Sequence, residues 1–201
     1  MPAVSEVEAA LYELAPRELA QSWDNVGLLV GDPTSQVSSV LVALDVTQEV
    51  AEEAAKRGCG LIVAHHPLMN CAWSPVQSVR TDQTQGKLIT TLIQNGISAI
   101  CMHTNLDSAS GGVNDALAAA LGLKDIAPLS EDGIGRIGTL DQEMTLEKFA
   151  ALVKEQLQAG GVRYADGGRN VRRVAVGGGA CGEYGALAAS LGCETFVTAD
   201  L

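Results

Sequence analysis

Hydrophobic and polar positions fall along this chain in blocks whose period changes, and the blocks predict its elements. Residues 6–14 have helical spacing ended by Ala15-Pro16, and residues 27–30 read as a short strand after the polar loop Trp23-Asp24-Asn25. From Val37 the rhythm becomes strand and helix in turn: strand 37–44, helix 48–56, strand 61–64, helix 86–94, strand 97–102, helix 113–121. After a loop rich in acidic and glycine residues, 136–140 reads as a strand, 146–158 as a helix, and 171–176 resumes the alternation. Strands separated by helices of this size imply parallel pairing through right-handed crossovers, hence an α/β fold with mainly parallel strands. No low-complexity linker interrupts the chain, so 1–201 is expected to be one domain, with a first half over 1–125 and a second over 126–201.

A duplication supports the division into halves. Residues 37–67 align without a gap to 171–201 at a constant offset of 134, as in Val40 with Val174. Identical pairs include Val42 with Val176, Glu49 with Glu183, Ala54 with Ala188, Gly58 with Gly192, Cys59 with Cys193 and Val63 with Val197. Part of this is shared strand-helix-strand patterning, but the Gly-Cys step is less generic. The strand ending at His65-His66 is thereby mirrored by one ending at Ala199-Asp200, and the mirror of His103 to Asp107 falls beyond Leu201. The reading therefore expects a second half that is incomplete at its C-terminus.

Composition narrows the class. Of 201 residues, 47% are hydrophobic and 18% charged, which suits a compact chain able to bury a core without disulfides. The net charge of −11 argues against a general electrostatic grip on nucleic acid or an anionic membrane. The N-terminus lacks the basic and apolar regions of a signal peptide, and no run approaches the roughly 20 apolar residues of a spanning helix. A cytoplasmic protein is expected. The five cysteines include no C-x-x-C pair and read as reduced thiols, with Cys71 and Cys181 the two that loops would offer as ligands.

The histidines carry the chemistry. All three lie in two segments: His65-His66 closes the apolar run 61–64, and His103 opens His103-Thr104-Asn105-Leu106-Asp107 after the run 97–102. The C-terminal ends of strands in an open α/β sheet line the ligand crevice, so two such ends can gather His65, His66, His103 and Asp107. Imidazole nitrogen and carboxylate oxygen suit zinc, manganese or iron. Neighbouring residues of a strand point to opposite faces, so His65 and His66 can share one ion only if the backbone turns there, as Pro67 encourages. The competing assignment makes His65 and His66 turn residues, His103 a core histidine and Asp107 the N-cap of the helix near Val113. Asp45 either orients a histidine or caps the helix after it. Trp23 is expected to be a packing anchor rather than a wall of the site. A second enzyme reading comes from Gly177-Gly178-Gly179-Ala180-Cys181-Gly182, which has the form of a dinucleotide fingerprint, although it comes late in the chain. Its milder forms are a phosphate- or carboxylate-holding turn, or simple close packing.

Taken with their order and spacing, Trp23-Asp24-Asn25-Val26-Gly27-Leu28, Leu44-Asp45-Val46-Thr47, Ala64-His65-His66-Pro67, His103-Thr104-Asn105-Leu106-Asp107 and Gly182-Glu183-Tyr184 resemble the dinuclear-metal proteins called GTP cyclohydrolase 1 type 2, or Nif-three-like. The resemblance spans essentially the whole chain. It implies two related α/β halves facing a two-metal site, with His65, His66 and Asp107 as metal ligands and His103 beside them, where imidazole chemistry suits a proton shuttle. It also implies two divalent ions (Zn, Mn or Fe) per complete subunit, a toroidal homohexamer, and a metal-dependent hydrolase acting on a small molecule, with ring opening of GTP as the named reaction. A non-catalytic metal-binding or regulatory scaffold is the alternative. The family's remaining ligands, a histidine and a glutamate four residues apart near the C-terminus, have no counterpart here, and the insertion some members carry between the halves is absent.

Overall fold

Helix α1 (Val4–Leu14) begins where the Glu6 carboxylate accepts the Ala3 N–H at 2.7 Å, and it ends before Pro16, which cannot continue a helix. The computed structural model describes residues 1–71 and 75–200. Its contacts divide the chain into two units, Met1–Leu106 and Asp107–Leu201.

The first unit holds β1 (Gly27–Val30), β2 (Val40–Ala43), α2 (Gln48–Arg57), β3 (Leu61–Ala64), α3 (Thr84–Gln94) and β4 (Ser98–Cys101). The sheet order is β1-β4-β3-β2; β2, β3 and β4 run parallel, and β1 closes the edge antiparallel to β4. Helix α2 starts at Thr47, whose hydroxyl accepts the Val50 N–H, and stops at Gly58, whose φ of 67° is the left-handed conformation glycine adopts cheaply. Ala51, Ala54, Leu88, Ile89 and Leu92 of the two helices bury one face of the sheet through Val30, Ile62, Ala64, Ala99 and Cys101. The register sets Ala43 beside Ala64 and Ala64 beside Cys101, so three parallel strands end level. Asp45, His65, His66 and His103 all emerge just past that line.

The boundary between the units falls inside the short helix α4 (Thr104–Ser108). Beyond it come α5 (Val113–Ala120), β5 (Lys124–Pro128), β6 (Arg136–Met144), α6 (Leu146–Gln156), β7 (Val171–Ala180), α7 (Gly185–Ser190) and β8 (Thr195–Asp200). This sheet has the order β5-β6-β7-β8. Ala118, Phe149 and Val153 cover one face of it, and Ala188 packs with Leu129, Ile137 and Ala175. Buried Arg136 forks onto Asp115 at 2.6 and 3.1 Å and also donates to the carbonyls of Ser108, Ala109, Gly133 and Gly135.

Mixed α/β architecture is what the alternation predicts, and the first sheet follows it. The second departs: β5, β6 and β7 pair antiparallel, and β7–β8 is parallel. Although α6 separates β6 from β7, Met144 and Val171 face each other, so the segment 157–170 carries the chain back to the sheet end it left. Helix α6 is thus an excursion, not a crossover. The units divide at Leu106/Asp107 rather than at 125, because α5 packs on β6 and β7. The duplication reads directly in the ladders: Val40 faces Leu61 and Val174 faces Thr195, Val42 faces Val63 and Val176 faces Val197. Leu201, the last position of the aligned repeat, lies outside the described residues.

Candidate metal centre

Where β3 stops, the Leu44 carbonyl accepts both the His65 N–H at 3.1 Å and the His66 N–H at 3.0 Å. These two hydrogen bonds to one oxygen bend the chain before Pro67 and cancel the up-down alternation of a strand, so adjacent side chains converge. The His65 and His66 ring centroids lie 5.0 Å apart, and His103, delivered by the level end of β4, lies 5.0 Å from His65 and 5.6 Å from His66. Ring nitrogens of all three lie within 4.8 Å of one another.

Each imidazole is held through Nδ1. His65 Nδ1–H donates to the Met102 carbonyl at 2.8 Å, His66 Nδ1–H to Asp45 Oδ1 at 2.7 Å, and His103 Nδ1–H to Asp24 Oδ1 at 3.0 Å. Three oxygen acceptors fix three protons on Nδ1 and leave the lone pair on Nε2, the tautomer that a ligating histidine needs. Burial and the neighbouring His103 push the His65 pKa below its ordinary value, which keeps that ring neutral and ready to ligate. The donor set therefore fits zinc, manganese or iron.

Asp24 is the anchor. Its side chain is fully buried and accepts, besides His103, the Thr104 N–H at 3.0 Å, the Thr104 hydroxyl at 2.5 Å and the Asn25 N–H at 2.7 Å. Burial alone would raise its pKa; the hydrogen bonds from His103 and Thr104 outweigh burial and hold it down at about 2, so the group stays ionised. Asn105 completes the mount: wholly buried, it accepts the His103 N–H at 3.0 Å and donates to the Ala15 carbonyl at 2.8 Å.

Of the four residues singled out in the sequence, the structure gathers His65, His66 and His103. Asp107 is not in that set; it follows on α4, and its carbonyl accepts Asn114 Nδ2 at 3.0 Å. It does not cap α5, whose N-cap position is Gly112. His103 is no isolated core histidine, since its imidazole belongs to the cluster. Asp45 binds His66, and the helix cap is Thr47 instead. Trp23 was expected to anchor the core, but it is 40% exposed and stands edge-on to His103 at 6.0 Å, as a wall of the site. Cys71 is buried with its pKa raised by burial, and its Sγ reaches Asp24 Oδ1 at 3.9 Å. Cys181 donates to the Gly178 carbonyl at 3.1 Å. The role of Asp24 was not anticipated: its partner lies 79 residues away, and no local pattern announces it.

The glycine run has a packing explanation. Strand β7 continues through Gly177, Gly178 and Gly179, and the helix after it spans only Gly185–Ser190, so no strand-to-helix phosphate turn forms. A Cβ on Gly177 would come within 2.7 Å of the Cys181 Cβ, and the Gly178 N–H is taken by Asn114 Oδ1 at 2.8 Å. Close approach is what Gly177 and Gly178 permit here, whereas Gly179 has open space beside it and takes a left-handed φ of 72°.

Comparisons with known proteins bear on the family and the fold. Residues 2–201 match the family model described as Duf34/NIF3 (NGG1p interacting factor 3). A Streptomyces coelicolor protein named GTP cyclohydrolase 1 type 2 homolog is 41% identical over 100% of this chain and 73% of its own length. A Clostridium perfringens protein of the same name is 36% identical over 98% of this chain and 77% of its own. The crystal structure of a Bacillus cereus protein related to NIF3 superposes with a TM-score of 0.91 at 28% identity, covering 100% of this chain and 83% of that one.

Proposed function

Because the chain belongs to the Duf34/NIF3 family, we propose that it is a divalent-metal protein of the hydrolase class, in which His65, His66 and Asp107 hold metal and His103 moves a proton. The observation that carries the reading is the set of three imidazoles, each pinned at Nδ1 and converging within 4.8 Å. Zinc, manganese or iron suits these donors, with two ions per complete subunit by resemblance. Bound there, a divalent ion supplies Lewis-acid polarisation of a substrate oxygen.

The chain's own residues do the rest. Asp45 keeps His66 in its ligating tautomer, and the Met102 carbonyl does so for His65. Asp24, ionised and buried, holds the His103 ring and stabilises positive charge on it, so His103 Nε2 can accept a proton from water or substrate and return it. Trp23 screens one side of that ring. The substrate is a small molecule; the relatives' name points to ring opening of a guanine nucleotide, a hydrolysis that such a site suits. A cytoplasmic homohexamer is part of this reading, the hexamer by resemblance; among the described residues no helix is long and apolar enough to cross a membrane.

One observation favours a second reading, a metal-holding scaffold: the His103 nitrogen belongs to the same tight set as those of His65 and His66. His103→Ala separates the two. A proton carrier predicts retained metal with GTP or phosphoester turnover lost, whereas a third ligand in a scaffold predicts that metal content falls and that no turnover exists to lose.

A further inference from the structure

Helix α4 has five residues, too few to hold their shape alone, and the last carbonyls of any helix lack partners within it. Buried side chains take up that task here. The Asp107 carbonyl accepts Asn114 Nδ2 at 3.0 Å, and the carbonyls of Ser108 and Ala109 accept Arg136 Nη2 at 3.3 and 3.1 Å. Asn114 is wholly buried and Arg136 nearly so, which keeps bulk water from competing for these bonds.

We propose that Asn114 is a positioning residue for Asp107, fixing the backbone from which that carboxylate is presented to a divalent ion, an inference that rests on the reading of Asp107 as a metal ligand. Asn114 uses both ends of its amide. While Nδ2 donates to Asp107, Oδ1 accepts the Gly178 N–H at 2.8 Å, so one side chain ties Asp107 to the middle of the glycine run in β7. The two bonds demand a donor and an acceptor on one planar group, which leaves the amide a single orientation. An aliphatic side chain of like volume would fill the same space and make neither bond.

The glycine run takes a part in this arrangement. A Cβ on Gly178 would lie 3.2 Å from Val113 Cγ1 and 3.6 Å from Asn114 Oδ1. Glycine at this place lets the start of α5 sit close enough to β7 for the amide to reach the strand. The run thus serves as the seat of Asn114, and through it of the Asp107 backbone.

Cobalt(II) titration of the whole chain, followed by its visible absorption bands, tests this. Asn114→Ala should shift the bands and weaken cobalt affinity about tenfold, the lower end of the range for a ligand's outer partners, because Asn114 holds Asp107 through its backbone. Gly178→Ala should give the same shift with a smaller loss, and it carries the test if Asn114→Ala does not fold. Val153→Ala, a core change in the same unit, should leave bands and affinity unchanged even where it costs as much in urea unfolding. In an Asp107→Ala background, Asn114→Ala should cost no further affinity, since the residue it acts through is already gone. Equal losses in both backgrounds overturn the proposal, as do bands that move as far in Val153→Ala as in Asn114→Ala. So does Asp107→Ala losing affinity while Asn114→Ala keeps it. Asp107→Ala with affinity intact overturns the ligand reading itself, and the positioning role with it.

Discussion

The segments β2-α2-β3 and β7-α7-β8 are built to one plan, yet only the first ends in histidines of the cluster. Their ladders share a register, and their helices close alike. Gly58 (φ 67°) donates to the Ala55 carbonyl and Cys59 to that of Ala54; Gly192 (φ 78°) donates to Ala189 and Cys193 to Ala188. The differences gather at the strand ends. Where the first half leaves its strand at Ala43 and offers Asp45 to His66, the second keeps its strand going through three glycines to Ala180. Where the first carries His65-His66, the second carries Ala199-Asp200. Backbone closure and register thus form a scaffold that tolerates different strand-end residues, and the chemistry resides in those residues.

The largest expected effect comes from erasing the difference. His65→Ala gives the first half the residue that the second already bears at that place, so folding should persist while metal affinity falls more than about 100-fold, beyond the range for losing a ligand's supporting group. Isothermal titration with zinc reads this, with circular dichroism as the control for folding. A smaller loss, about 10- to 100-fold, should follow Asp45→Asn or Asp24→Asn, which keep the shape but weaken the hold on the imidazole tautomer. The smallest effect sharpens the likeness instead. Gly58→Ala and Gly192→Ala should each cost about 1 kcal/mol in urea unfolding, since both force an L side chain into the left-handed region. Unequal costs would mean that the two closures are less alike than their hydrogen bonds suggest.

Much of the first unit was legible because its signals are local. Strand β3 occupies the residues read from the apolar run 61–64, bounded by Gly60 and His65, and α2 carries its stop signal in Gly58. Strand β5 escaped notice because all five of its residues are exposed and no hydrophobic rhythm marks them. The antiparallel β6–β7 pair was hidden because an intervening helix looks the same in sequence whether it crosses the sheet or returns. In the metal centre, the histidines announced themselves by position at strand ends. Asp24 and Asn105 did not, because a buried carboxylate and amide acquire meaning only through partners distant in the chain. Asp45 had two plausible partners, and Thr47 settled the matter by taking the cap.

Metal-edge X-ray absorption on zinc-loaded protein tests the central claim most directly. Convergent Nε2 atoms from His65 and His66 predict at least one tightly bound ion per chain with imidazole nitrogens at about 2.0–2.1 Å, and a histidine signal that weakens in His65→Ala. A spectrum of oxygen ligands alone, or one unchanged in that variant, would contradict it.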